Sequence, residues 1–181
     1  DVAPAPDRQR VIVCDEAERF QCGAVEAARQ QHAESLVGKA AFERLKALAG
    51  DWEGHVTTAD GPPARVEFRL AGNGSALVER LFPGTTHEMV SVYHLAGNDL
   101  VLTHYCAMAN QPRMKLVAGG RDGDLVFDFA GGDNVDPKTT THMHGGRFSV
   151  KGMDAYEADW SIVSEGKPAG NNRFFMKRAA K

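Results

Sequence analysis

Histidine and cysteine side chains are the first candidates for chemistry in this sequence. His104 and Cys106 lie two positions apart, and His142 and His144 have the same spacing. Residues i and i+2 of a strand share one face, so His142 and His144 could bind a metal, with His104 completing a three-histidine centre from an opposite strand. The alternative is that both lie in a solvated hairpin at a sheet rim. A Cys106–His104 nucleophile–base pair is disfavoured, because about 6 to 7 Å of strand separates the two.

A predicted hairpin over residues 87–106 carries a second group of polar candidates. A two-residue turn at Gly97-Asn98 would place Ser91 opposite His104, with Tyr93 on the same face. If this face lies inside, Tyr93 and His104 bring hydrogen-bonding groups into an apolar cavity, where they could orient the head group of a ligand. The alternative is a core histidine satisfied by a neighbouring hydroxyl or carbonyl. The other face is also largely apolar and could be covered by N-terminal residues or a second subunit.

One charged side chain of segment 75–83 is expected to face inward, because neither face of this segment is free of charge. Arg80 points inward in one register, and Glu79 does so in the other. An inward Arg80 would suit a ligand carboxylate through its bidentate guanidinium, and Arg113 at the mouth of its strand could share that task. The alternative is that both arginines are solvated.

The elements that must position these residues are short strands. Alternating apolar and polar segments recur about every ten residues between Gly50 and Arg178, separated by turn signals of Gly, Asn, Asp and Pro. Such a long meander either closes or leaves a hydrophobic edge exposed. The sequence therefore predicts a mainly β fold, a closed antiparallel up-and-down β-barrel of about ten strands. The predicted strands are 52–59, 64–71, 75–83, 87–96, 99–107, 113–119, 124–130, 140–150, 155–164 and 171–178.

Alternation along the strands gives this barrel an aromatic interior. Phe68 alternates with the charged Glu67 and Arg69, and Phe127 precedes the charged Asp128. A small ligand inside would be bound mainly through buried apolar surface, at roughly 25 cal/mol per Å². The side chains expected to form the walls of the cavity are Phe68, Phe127, Trp160 and Phe174.

The sequence divides into an N-terminal extension, residues 1–34, and a barrel domain, residues 35–181. The extension contains seven acidic and four basic residues and so carries the whole net charge of -3. Apolar residues at helical spacing predict a helix over about 16–33. This helix would hold Cys14 and Cys22 about 12 Å apart, too far for a disulfide.

Three states of the cysteines therefore stay open. Cys14 and Cys22 close a small non-helical loop, or one of them pairs with Cys106, or all three are free thiols. After the extension, a short helix with an apolar stripe ends at Gly50 and is expected to plug one end of the barrel. The stripe consists of Ala41, Phe42, Leu45 and Leu48.

Composition argues against several functions. A net charge of -3 and a pI near 6.2, without basic stripes, argue against nucleic acid as a partner. The sequence contains no run of about 18 apolar residues, so no membrane span is predicted. No nucleophile elbow, P-loop, dinucleotide fingerprint, CxxC or HExxH occurs, so neither a cofactor nor motif-recognisable catalysis is predicted. The start Asp1-Val2-Ala3-Pro4-Ala5-Pro6 reads like the leader of a mature secreted or periplasmic protein, or else a trimmed end.

The segment Gly50-Asp51-Trp52-Glu53-Gly54, after a short helix and at the first strand, resembles the G-x-W motif of the calycin superfamily. In lipocalins a basic residue of the last strand packs over this Trp, and here Arg173 or Arg178 would do so. Residues 93–95, 102–106 and 110–114 are similar to an uncharacterised bacterial lipocalin-like family. The resemblance spans about residues 40–178 and implies a closed barrel without an established activity.

The chain departs from the better-understood calycin branches. The T-D-Y-like motif and C-terminal helix of lipocalins are missing, and a turn at Asp60-Gly61-Pro62-Pro63 replaces the helical lid of fatty-acid-binding proteins. The late axial histidine of nitrobindin-like haem proteins is also missing. We therefore expect a secreted or periplasmic lipocalin-like barrel that binds a small, largely apolar molecule. The alternatives are a hydrolase- or lyase-type enzyme using His104 or the three-histidine centre, and a filled barrel that acts as a protein-interaction module or homodimer.

Overall fold

The computed structural model describes residues 37–119 and 123–180. The predictions for the extension, including its helix and Cys14 and Cys22, lie outside the described residues. Residues 37–46 form helix α1. Ten strands follow: β1 (Gly50–Val56), β2 (Pro63–Ala71), β3 (Ala76–Leu81), β4 (Met89–Ala96), β5 (Asp99–Tyr105), β6 (Gln111–Ala118), β7 (Leu125–Asp133), β8 (His142–Lys151), β9 (Ala155–Ser164) and β10 (Lys167–Arg178).

The ten strands form one closed antiparallel barrel in up-and-down order, as predicted. Each strand pairs with its neighbours in the chain, and β1 also pairs with β10, so that no sheet edge is left open. The predicted hairpin register is confirmed: Leu95 pairs with Leu100, and Ser91 pairs with His104. No helix among the described residues is long and apolar enough to cross a membrane.

Nine of the ten strands differ by one to four residues from the predicted bounds at one or both ends, and two of these differences have clear local reasons. β1 ends at Val56 rather than at 59, because the backbone of Thr57 has a positive φ of 78° and leaves the extended region. β10 begins at Lys167 rather than at 171. Glu165 and Gly166 both have positive φ, which gives a tight turn that pairs Ser164 directly with Lys167.

Helix α1 closes one end of the barrel, as its apolar stripe predicted. Ala41, Phe42, Leu45 and Leu48 are all buried. The helix approaches the β4–β5 turn so closely that a Cβ on Gly38 would lie 2.1 Å from the carbonyl oxygen of Asn98. We call this the helix end, and the opposite end, where β4 and β8 begin, the open end.

Candidate functional site

The open end contains a largely apolar cavity of about 530 Å³. Strand ends and the loops between them line it, and three methionines with Phe82 and Ile162 make most of this lining apolar. Cys106, a half-buried free thiol, lies beside Met89, with the two sulfur atoms 4.0 Å apart. The lining residues are Phe82, Thr85, His87, Met89, Cys106, Ala107, Met108, Met143, Ile162 and Asn172.

Polar side chains lie directly below this cavity. Residues two apart on a strand share a face, so Ser91 and His104 lie one step deeper in the barrel than Met89 and Cys106, and Trp160 lies one step deeper than Ile162. The His104 imidazole stacks on the Trp160 indole with ring centres 5.8 Å apart. His104 and Trp160 are 0% and 1% exposed. We call these two residues the floor of the cavity, because each lies one strand step below a lining residue, Cys106 or Ile162.

Three side chains form a continuous row across β3, β4 and β5. Strand register places Glu79 opposite Ser91, and Ser91 opposite His104. The Ser91 hydroxyl is hydrogen-bonded to Nδ1 of His104 at 3.0 Å, and the Tyr93 hydroxyl donates to Oε2 of Glu79 at 2.7 Å. All four side chains are buried. We call Glu79, Ser91 and His104 the polar row.

Burial shifts the acid–base behaviour of this row. Loss of water raises the pKa of Glu79 to about 7, and hydrogen bonds from Tyr93 and Ser91 oppose that shift only in part. Loss of water also lowers the pKa of His104 to about 4, so this imidazole is neutral at physiological pH. Burial and the neighbouring Glu79 raise the pKa of Tyr93 well above its ordinary value.

Several buried polar atoms of this region have no hydrogen-bond partner among the described residues. They include Nε2 of His104, Nε1 of Trp160 and the hydroxyl of Tyr156. A buried polar group without a partner costs free energy, and such groups in native proteins are usually paired with protein, water or a ligand. The His104 and Trp160 nitrogens belong to the two residues directly below the cavity lining, so a molecule that reaches this depth could satisfy them.

The polar row is less well suited to nucleophilic catalysis than to hydrogen bonding with a ligand. Ser91 and His104 are at the distance of a nucleophile and its base. However, Ser91 and His104 are both 0% exposed, and neither belongs to the residues that line the cavity. What distinguishes them is that the Ser91 hydroxyl already has a partner in His104, whereas Nε2 of His104 has none.

The structure places six of the eight predicted site residues inside the barrel. Tyr93, His104 and Trp160 form or adjoin the polar row. Phe174 contacts Phe82 of the cavity lining, with ring centres 5.7 Å apart. Phe68 and Phe127 lie closer to the helix end, in an aromatic cluster with Tyr93, Phe148 and Tyr156.

Arg80 and Arg113 face away from the interior, so the expectation that they orient a ligand carboxylate is wrong. The structure selects the register with Glu79 inside. Arg80 then lies on the outer face, where it donates hydrogen bonds to Glu67 and Glu88, both at 2.9 Å. The side chain of Arg113 is 53% exposed, while its neighbours Pro112 and Met114 are buried.

The structure does not bring together the three histidines of the alternative metal centre. Nε2 of His142 lies 3.0 Å from Nδ1 of His144, and Nδ1 of His142 donates to the Thr140 carbonyl at 2.7 Å. Both rings pack against Phe129 rather than against His104. The described part of the chain has no group of three or more His, Cys, Asp or Glu that could hold a metal ion.

Sequence analysis missed the methionines of the cavity. Met89 could have been predicted, because it belongs to the inward face of the predicted hairpin. The inward orientation of Met143 could not be predicted. The pairing of β8 with β9 is irregular between Met143 and Gly145, so alternation counted from Phe148 does not give the orientation of this side chain.

No protein-family model matches this chain, and no curated protein matches it either.

Proposed function

We propose that the barrel binds a small, largely apolar molecule in the open-end cavity. An uncharged polar group of that molecule hydrogen-bonds to Nε2 of His104 and Nε1 of Trp160. The observation that carries this proposal is that two buried nitrogens without a partner belong to residues one strand step below the lining of an apolar cavity. A cavity of about 530 Å³ is within the usual size of small-molecule sites, roughly 300 to 1,000 Å³.

The charges of the barrel favour an uncharged head group. Among the buried residues that the structure describes, Glu79 is the only Asp, Glu, Lys or Arg. It therefore has no buried cation as a partner there. A ligand carboxylate would be desolvated without a cation to pair with, and it would approach Glu79. We therefore expect alcohols, ketones or similar molecules to bind better than fatty acids.

The geometry of the helix end supports a lipocalin-like ancestry for this function. Trp52, from the G-x-W segment, lies under the guanidinium of Arg178 from the last strand, as the resemblance implied. Calycin barrels provide the expectation of an internal ligand. Secretion and a homodimer stay predictions.

A binding titration tests the proposal. Nile red, an uncharged apolar dye, is titrated into the protein, and a medium-chain methyl ketone, alcohol and carboxylate then compete for its site. We expect saturable binding, displacement by the ketone and the alcohol, and roughly tenfold weaker displacement by the carboxylate. The proposal is wrong if no saturable binding occurs, or if the carboxylate competes best.

A matched pair of variants locates the site. Cys106→Phe fills the cavity and should abolish dye binding. Met153→Phe makes a similar change at a residue that is 78% exposed in the β8–β9 turn at the helix end, and it should leave binding unchanged. Equal binding by both variants would show that the dye binds elsewhere.

A further inference from the structure

We infer that Glu79, acting through Ser91, determines whether Nε2 of His104 donates or accepts a hydrogen bond at the floor of the cavity. The barrel then selects its ligand's head group according to the protonation of Glu79. This inference rests on the proposed function and adds to it a class of head group and a control over the choice. It follows from hydrogen-bond directions along the polar row, and Glu79 is a positioning residue in it.

The Ser91 hydroxyl connects the other two members of the row. It lies between Glu79 and His104 in strand register, and it is hydrogen-bonded to Nδ1 of His104 at 3.0 Å. It also faces the Glu79 carboxyl from the neighbouring strand, and its interaction with that carboxyl lowers the pKa of Glu79. A hydroxyl has one proton to donate and lone pairs that accept. Ser91 can therefore donate toward only one of its two partners at a time.

Ionised Glu79 fixes one direction of the row. A carboxylate only accepts, so it accepts from the hydroxyls of Tyr93 and Ser91. The Ser91 oxygen then accepts the proton of His104 Nδ1–H. In a neutral imidazole the other nitrogen is unprotonated, so Nε2 presents a lone pair to the cavity.

Protonated Glu79 reverses the direction. Its carboxyl group still accepts from Tyr93 and now donates its proton to the Ser91 oxygen. Ser91 donates in turn to Nδ1 of His104, which therefore carries its proton on Nε2. The net change is one proton bound to Glu79 and a shift of the imidazole proton from Nδ1 to Nε2.

The other titratable groups that face Glu79 keep their protons constant near neutral pH. They are Tyr93 on β4, His104 on β5 and Tyr156 on β9. Burial raises the pKa of both tyrosines well above the ordinary value, and it lowers the pKa of His104 to about 4. The charged Arg80 of β3 and its partners, Glu67 of β2 and Glu88 before β4, lie on the outer side of the barrel.

The two states suit different ligands, because Nε1 of Trp160 always donates. With Glu79 protonated, His104 and Trp160 present two donors, which suit the two lone pairs of a carbonyl oxygen. With Glu79 ionised, they present one acceptor and one donor, which suit a hydroxyl group. The site should therefore prefer ketones at lower pH and alcohols at higher pH.

Nitrogen-15 NMR of the His104 side chain tests the row without any ligand. Spectra from about pH 5.5 to about pH 8.5 should show the proton move from Nε2 to Nδ1 as Glu79 ionises. In Glu79→Gln the amide group donates to Ser91 permanently, so the proton should stay on Nε2. Ser91→Ala should remove the pH response, whereas the control Glu67→Gln, on the outer face, should retain it.

Ligand binding tests the selection. The ratio of the Kd of a medium-chain methyl ketone to that of the matched secondary alcohol should rise roughly tenfold over the same pH range, and it should be constant in Glu79→Gln. Binding of both probes without a proton shift in His104 would overturn the inference and leave the proposed function standing. A proton shift without binding of either probe would overturn the proposed function and the selection built on it.

Discussion

The guanidinium of Arg178 lies over the indole ring of Trp52, with its central carbon 4.4 Å from the ring centre. The same group donates hydrogen bonds to the carbonyl oxygens of Ala47 and Ala49, where α1 ends, and to that of Met153 in the β8–β9 turn. The Trp52 indole donates to the Leu48 carbonyl at 2.7 Å. One arginine therefore joins the helix, the first strand and a turn at the closed end of the barrel.

Replacing Arg178 should destabilise the protein even though it lies far from the cavity. Arg178→Met keeps the long apolar stem but removes the cation over Trp52 and three carbonyl partners, and we expect a loss of about 2 to 3 kcal/mol. Arg173→Met is the control, because Arg173 is 52% exposed and its nearest carboxylate oxygens are 3.8 Å away. Urea unfolding measures both. Equal effects of the two changes would contradict this role.

The sequence predicted the barrel because its evidence is local. Turn residues and alternation repeat in every hairpin, and each hairpin independently specifies its own register, as the pairing of Ser91 with His104 shows. The helix end was predictable for the same reason, since the apolar stripe of α1 follows from helical spacing alone.

The direction of Glu79 and Arg80 could not be predicted, because both faces of β3 are largely apolar. Inward Glu79 requires the hydroxyl of Tyr93, and outward Arg80 requires Glu67 and Glu88. These partners come from other strands or turns and are known only once the register of the whole sheet is fixed. The choice between Arg173 and Arg178 over Trp52 likewise depended on the register of β1 with β10, which closes the barrel.

The stability of the wild-type protein should change little between about pH 4.5 and about pH 6.5, because Glu79 and His104 act in opposite directions. The pKa of Glu79 is raised to about 7, so its contribution to stability is full below about pH 4.5 and is lost as the pH rises through 7. The pKa of His104 is lowered to about 4, so its contribution is full above about pH 6.5 and is lost as the pH falls through 4.

Single variants should separate these two contributions. Glu79→Gln should lose stability as the pH falls from about 6.5 to about 4.5, and His104→Gln should lose it as the pH rises over that range, each by ~2 kcal/mol. The free energy of unfolding in urea at several pH values measures both slopes. Slopes of the same sign would disprove the assignment of these two groups.

The Tyr93 hydroxyl should matter more at high pH than at low pH. It donates to Oε2 of Glu79 at 2.7 Å and so favours the ionised carboxylate. Tyr93→Phe removes this donor and should raise the pKa of Glu79 further, which costs about 1 to 3 kcal/mol above pH 7 and less below pH 5.5. Tyr105→Phe is the control, because Tyr105 is 51% exposed. A loss independent of pH would indicate a packing effect instead.

A methyl group at Gly146 should disturb the cavity floor through Trp160. These two residues are paired between β8 and β9, and a Cβ on Gly146 would lie 2.8 Å from Cζ3 of the indole. The indole has little room to move, because it packs between His104 and Phe148, with ring centres 5.8 and 5.5 Å away. Gly146→Ala should therefore cost about 1 to 3 kcal/mol and weaken ligand binding.

A double-mutant cycle distinguishes this clash from a general intolerance of alanine in β8. Trp160→Phe removes the indole atoms that the new methyl group would meet, so Gly146→Ala should cost much less in that background than in the wild-type protein. Urea unfolding of the four proteins gives the coupling energy. Additive effects would mean that the cost of alanine arises in the backbone of β8 and not from a clash with Trp160. The position of the Trp160 side chain would then depend on contacts other than Gly146.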